Sequence, residues 1–228
     1  RLRVVNYNIA KLKGDSDSFQ SVIDDTKKGD VPVGAFVFQE VMPENISELQ
    51  EALGLEYELA SFVDKADSAH GGAQAMFFKS DSFDEPYGSH DTIYTGAGRN
   101  ASRWTLTSRH TGDDLIIYGA HLRAFPEGSQ ERLAGVNALK DDISRMPKGT
   151  RTIVTGDFNF YSENEPGYRG LIDMGLKDTS KDTLPEDPLF DPALAKPTLQ
   201  ERADRLRQAK KPIEQQVSDY SAMQNIMP

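Results

Sequence analysis

The chain contains no cysteine. That excludes disulfides, cysteine-ligated zinc and a thiol nucleophile, and it leaves the redox compartment open. Basic residues are in the minority: 26 Lys and Arg face 36 Asp and Glu, a formal net charge of -10. A sequence-blind duplex binder draws its affinity from phosphate neutralisation and usually carries a basic face. The totals show no such footprint, so a small phosphorylated ligand fits them better than a long duplex. Tryptophan occurs once, as Trp104, and histidine only four times. No apolar run approaches the roughly 18 residues that would span a bilayer. No internal repeat, low-complexity tract or signal peptide is visible. The chain opens directly on strand-like Arg1-Leu2-Arg3-Val4-Val5 without an initiator Met, which leaves room for a removed signal and an extracytoplasmic location.

What is present describes an ordinary globular protein. The 228 residues, 37% hydrophobic and 27% charged, suit one domain with a sizeable core. Strand and helix signals alternate. Leu2–Ile9 is rich in β-branched residues, and 18–28 has helical character. Val33–Val41 is a near-continuous apolar run, expected for a strand buried on both faces. Pro43 then opens a helix over Ile46–Leu53, ended by Gly54. Further strands are expected over 57–63, 75–79, 102–109 and 114–121, the last two joined by Thr111-Gly112-Asp113. Leu133, Val136, Leu139 and Ile143 space a helix over 129–145. A strand over 151–155 runs into Gly156-Asp157-Phe158-Asn159, and a helix over 165–174 closes at Gly175. Beyond about residue 176 the composition turns polar: a Pro- and Asp-rich loop precedes a charged, helical-looking stretch over 198–216. The mixture predicts a layered α/β domain with mixed sheets, 177–228 being its atypical C-terminal segment.

Four strand ends carry residues suited to chemistry. Asp157 and Asn159 lie two positions apart, so along a continuing pleat they point the same way and can orient a water and bind a phosphoryl oxygen. A plain Asp/Asn turn explains them equally well in isolation. Glu40 ends a deeply apolar strand, where a carboxylate is costly unless paired or bound to a hard cation such as Mg²⁺. It also suits the N-terminus of the helix that follows. Asn8 could support a metal or its water through its amide oxygen, or simply end a strand. His121 could donate to a phosphate oxygen as charge develops, or be a satisfied structural histidine. The remaining histidines, His70, His90 and His110, sit in polar or strand-end settings.

In combination these residues resemble the endonuclease/exonuclease/phosphatase family, related to DNase I-like enzymes. The pairs Tyr7-Asn8 and Gln39-Glu40, the strand Gly72-Ala73-Gln74-Ala75-Met76-Phe77-Phe78, the segment Gly119-Ala120-His121-Leu122-Arg123-Ala124 and the tetrapeptide Gly156-Asp157-Phe158-Asn159 follow one another in the family's order over roughly residues 1–176. The resemblance implies a four-layer sandwich, two mixed sheets flanked by helices. It implies a metal-dependent phosphoesterase, whether phosphodiesterase, phosphatase or nuclease, acting by in-line attack of water with Mg²⁺ or Mn²⁺. By position, Asn8 and Glu40 would hold the ion, Asp157 would activate the water, and Asn159 and His121 would contact the scissile phosphate. Arg99, Arg103 and Arg123 are candidate phosphate contacts, or solvated surface charges.

One part of the pattern breaks. The family closes with Ser-Asp-His after an Arg-x-Asp strand. The nearest match here is Ser218-Asp219-Tyr220, preceded by the charged, helical-looking Arg202-Ala203-Asp204-Arg205-Leu206. A tyrosine with an ordinary pKa near 10 is a poor base at neutral pH. Three explanations fit: a closing segment missing or altered, a diverged enzyme using Tyr220, or a catalytically weakened scaffold that binds phospho-ligands or a protein. The first is preferred, with Asp219 as the remnant of a degenerate motif or a chance match in a polar tail. The expected substrate is a small phosphoester, a nucleotide or a lipid headgroup in preference to nucleic acid.

Overall fold

The computed structural model describes residues 3–12, 16–64, 72–96 and 98–179. The expected helix over 198–216 and the Ser218-Asp219-Tyr220 match lie outside them. Among the described residues no helix is long and apolar enough to cross a membrane.

The first half of the chain builds one sheet. Its elements are β1 (Arg3–Asn8), α1 (Ser16–Lys27), β2 (Val33–Val41), α2 (Ile46–Leu53), β3 (Tyr57–Leu59) and β4 (Ala73–Lys79). The strands order as β1-β2-β4-β3, with β1 parallel to β2 and β4 antiparallel to both of its neighbours. The second half builds another from β5 (Phe83–Asp84), β6 (Asp91–Ile93), β7 (Ala101–Ser108), β8 (Asp114–His121) and β9 (Arg151–Asp157), with α3 (Ser129–Ile143) and α4 (Pro166–Asp173). Here the order is β5-β7-β8-β9, β6 also pairs with β7, and β8 and β9 run parallel. Both sheets are mixed.

Alternation along the central strands produces the layers, because successive side chains leave a strand on opposite faces. Phe36 and Phe38 of β2 pack with Phe77 of β4 against Phe19, Ile23, Leu49 and Leu53 of α1 and α2. Between them, Ala35 and Val37 turn inward to meet Met76, Phe78, Trp104, Leu106 and Ile117, the core between the sheets. On the far side Tyr118, Ala120 and Val154 pack under Val136, Leu139 and Leu171 of α3 and α4. The order is helices, sheet, sheet, helices, the expected four-layer sandwich. Each fully buried large side chain contributes about 1.5–3 kcal/mol of transfer free energy. Trp104 is wholly buried and its Nε1 donates to the Ser61 carbonyl (2.8 Å), so it is a core residue with no free face.

Most expected elements form within a residue or two of their expected ends, and three departures have physical causes. The strand expected over 57–63 stops at Leu59. Past Ala60 the main chain is diverted: the Ser61 N–H donates to Glu85 Oε2 (2.7 Å) and its carbonyl takes the Trp104 indole. Strands β5 and β6 have two and three residues, too few to show a period. In α3 the stripe rotates at its first turn: Arg132 is buried while Leu133 stays partly exposed.

Candidate active site

Because β1 and β2 run parallel in one sheet and β8 and β9 in the other, four C-terminal strand ends meet at one end of the sandwich. That is where open α/β sheets place ligands. Asn8 ends β1, Glu40 lies at the end of β2, His121 ends β8 and Asp157 ends β9. The structure brings all four together. The Nδ2 of Asn8 donates both to Glu40 Oε1 (3.1 Å) and to Asp157 Oδ2 (3.0 Å), so one amide bridges the two sheets. His121 Nε2 stands 3.6 Å from Asp157 Oδ2 and 3.9 Å from Glu40 Oε1. Those separations exceed hydrogen-bond length. The Asn8 Oδ1 accepts the Ala10 N–H (2.9 Å), which sets the orientation of the fork.

The backbone is bent to achieve this. Glu40 adopts φ 57 at an irregularity in the β2–β4 register between Phe38 and Val41. A left-handed conformation at a non-glycine residue is uncommon, and it turns the carboxylate out of the strand. The opposing strand makes room at Gly72, where a Cβ would lie 2.6 Å from both Cα and C of Glu40. Gly156 is equally constrained: at φ 152, its Cβ would fall 2.0 Å from the Ala120 carbonyl oxygen. Asn159 also sits at φ 53, its N–H donating to Asp157 Oδ1 (3.2 Å) in an Asx-type turn. Its Nδ2 donates to the Leu122 carbonyl (3.1 Å), tying the end of β9 to the residue after His121. Each residue of Gly-Asp-Phe-Asn thus has a structural reason, Phe158 being fully buried in the helical core.

Burial pushes the Asp157 carboxyl up to about 6, and the Glu40 charge adds to this. The Asn8 and Asn159 donors and the Arg99 charge act in the opposite direction without overcoming it. Arg99 is itself buried and donates through Nη1 to the same Leu122 carbonyl (2.9 Å). That bond connects Arg99 to the site. Arg123 follows His121 by two residues, its stem packed on Gly128. Arg103 is placed elsewhere. Its guanidinium is held by Asp142 of α3 (2.8 and 3.0 Å) and Asp91 of β6 (3.0 Å), with the Tyr118 hydroxyl donating to the same Asp142 (2.7 Å). That network ties α3 to the sheet and corrects the expectation of a phosphate contact from Arg103.

A second buried pair carried no sequence signal. Arg132 donates through Nε to Glu165 Oε1 (2.5 Å) and through Nη1 to the carbonyls of Arg123 (2.8 Å) and Phe125 (2.7 Å). The other Glu165 oxygen accepts the Tyr161 N–H (3.1 Å). The pair clamps the loop after β8 to the loop after β9, both of which rim the site.

The carboxylates of Glu40 and Asp157, held by one amide, are hard oxygen donors of the kind that suits Mg²⁺ or Mn²⁺, and the His121 imidazole stands beside them. Among the described residues no group of three His, Asp or Glu forms a ready-made metal cage. Mg²⁺ needs none, since it usually keeps several waters and takes one or two protein carboxylates.

These features define an α/β/β/α sandwich with an acid-, amide- and imidazole-lined site at the strand ends. No family model matches the sequence, and no curated protein sequence matches it. Solved structures do. The human Nocturnin catalytic domain, bound to sulfate, is 22% identical, with a TM-score of 0.64 over 82% of this chain and 76% of its own. A Bacteroides thetaiotaomicron mannosyl-6-phosphatase is 19% identical, with a TM-score of 0.63 over 79% and 74%. An endonuclease/exonuclease/phosphatase family protein from the same organism is 19% identical, with a TM-score of 0.62 over 78% and 69%. The chain has the endonuclease/exonuclease/phosphatase fold.

Proposed function

We propose that the chain is a divalent-metal-dependent hydrolase of phosphoester bonds. One observation carries this reading: the single Asn8 amide that holds Glu40 and Asp157 side by side across two sheets, with His121 Nε2 within 4 Å of both. A structural role for these residues would not need two carboxylates held together at buried and half-buried positions, because such proximity is repulsive.

In this reading Glu40 holds the ion. Asn8 would join it with Oδ1 once its amide turns over, since Nδ2 is the atom that faces Glu40 and Asp157. A bound Mg²⁺ or Mn²⁺ would neutralise phosphoryl charge and fix the phosphate in place. Asp157 accepts a proton from the attacking water, and a carboxyl near 6 is ionised at neutral pH yet more basic than an ordinary aspartate. Asn159 keeps that carboxylate oriented through its main-chain N–H, and its Nδ2, anchored on the Leu122 carbonyl, is the group that would donate to phosphate. His121 donates from Nε2 to a phosphoryl oxygen, where an in-line displacement accumulates charge. Arg99 and Arg123 supply fixed positive charge beside it.

The test is release of product from a panel of phosphomonoesters and phosphodiesters, with Mg²⁺ or Mn²⁺ and with EDTA. Metal-dependent turnover that Asp157→Ala reduces at least a hundredfold supports the reading. Ligand binding without turnover would identify the catalytically weakened scaffold instead.

A further inference from the structure

Phe125 is the residue the proposed chemistry leaves unexplained. Its backbone lies at φ 71 and ψ 148. Only glycine ordinarily occupies that region, so a phenylalanine there is strained and the surroundings must hold it. They do so through three groups. Arg132 Nη1 donates to its carbonyl (2.7 Å), and the Phe125 N–H donates to the Tyr161 hydroxyl (2.9 Å). Pro126 follows, which favours the extended ψ. Arg132 is only 1% exposed, is paired with Glu165, and lies over the Tyr161 ring at 5.1 Å. A buried ion pair is thus used to keep one backbone segment in a costly shape.

The side chain gains little from this in packing, for Phe125 is 60% exposed. Its position explains it better. The loop after β8 and the loop after β9 are stitched together at two points: Leu122 accepts the Asn159 amide, and Phe125 donates to Tyr161. Phe125 therefore belongs to the loop that rims the site, four residues beyond His121 and two beyond Arg123. A cation and an exposed flat apolar face two positions apart on one loop are the two features that suit a phosphate and the planar group attached to it. A single aromatic ring offers a stacking surface, whereas an acyl chain or membrane needs a broader apolar patch.

We infer that Phe125 is a specificity-determining platform on which the base of a nucleoside phosphate stacks, held rigid by Arg132, Glu165 and Tyr161. This inference rests on the phosphoesterase reading for the location of the phosphate, and it is tested by binding, so that the two can fail separately. Calorimetric titration with adenosine monophosphate and with glycerol phosphate, in Mg²⁺, compares ligands that share the phosphate and differ in the base. The intact protein should prefer the nucleotide by about tenfold, a typical contribution of one stacked base. Phe125→Gly should abolish the preference while leaving glycerol phosphate affinity unchanged, and Phe125→Trp should keep it. Because glycine suits the backbone here, Phe125→Gly should also melt no lower than the parent, which a packing role would not permit. Equal affinity for the two ligands, no binding of either, or a preference that survives Phe125→Gly would overturn the inference. A nucleotide preference without turnover of any phosphoester would instead remove the hydrolase reading and leave the platform standing.

Discussion

Replacing Asp157 by asparagine should abolish activity and yet stabilise the metal-free protein at neutral pH. Burial holds this carboxyl at about 6, against 3.8 for an ordinary aspartate. At about 1.4 kcal/mol per tenfold, keeping it ionised costs the folded state roughly 3 kcal/mol. An acid whose folded pKa is raised binds its proton more tightly when folded. The associated stability is present below about pH 4, falls as pH rises toward 6, and is gone above that. Asparagine is isosteric and neutral, so it removes the cost. It forfeits the hydrogen bond from Asn8, worth about 1 kcal/mol. The Asn159 N–H can still donate to the new amide oxygen. A net gain of about 2 kcal/mol remains, or roughly 4–8 °C in Tm for a chain of this size. Thermal melts in EDTA at pH 7.5 and pH 4.5 read it directly. The variant should melt higher at pH 7.5, and most of the gap should close at pH 4.5, where the parent carboxyl is largely protonated. Added Mg²⁺ should narrow the gap at pH 7.5 by stabilising the ionised parent. A variant that melts lower than its parent at pH 7.5, or a gap independent of pH, would refute the reasoning.

Three more perturbations probe the same framework. Glu40→Gln should remove the rise in Tm that saturating Mg²⁺ produces in the parent, about 2.7 kcal/mol at a hundred times Kd, and differential scanning calorimetry measures it. Gly72→Ala places a methyl 2.6 Å from the Glu40 backbone, so turnover should fall while far-UV circular dichroism keeps its shape; unchanged kcat/KM would show that the close approach does not matter. Arg132→Met leaves Glu165 buried without its partner and should cost about 3–5 kcal/mol in urea unfolding, much of it recovered in the double variant with Glu165→Gln.

How much could be read in advance depended on the range of the interactions. The edges of β2 and α2 were legible because their signals are local: a nine-residue apolar run, then Pro43 and Gly54 as start and stop. The candidate site residues could be singled out because strand ends advertise themselves, as at Asp157 after Ile153 and Val154. Their convergence was not local information. The Asn8–Asp157 hydrogen bond spans 149 positions, and no periodicity encodes it. Arg103 was misplaced for the same reason: its partners, Asp91 and Asp142, are remote in sequence, and a lone arginine on a strand looks alike whether it meets phosphate or carboxylate. Arg132 was hidden by its neighbour, since Leu133 completes the helical stripe that Arg132 displaces. Strands β5 and β6 borrow their geometry from β7 and have no pattern of their own.

The division of the sandwich into sequential halves sets the order in which the site can come into being. Among the described residues, every strand of one sheet lies between residues 3 and 79, and every strand of the other between 83 and 157. Asn8 and Glu40 therefore belong to a sheet whose described strands can be complete by residue 79, and they can pair with each other there before Asp157 is made. Asp157 arrives later, at the end of β9. During synthesis no chain shorter than 157 residues holds both carboxylates, so the site that the proposed hydrolysis requires cannot assemble until β9 is made. Cutting the chain near Ser82 would give two fragments, each bearing half of the machinery. Restored turnover would then serve as a direct gauge of whether the halves had found each other.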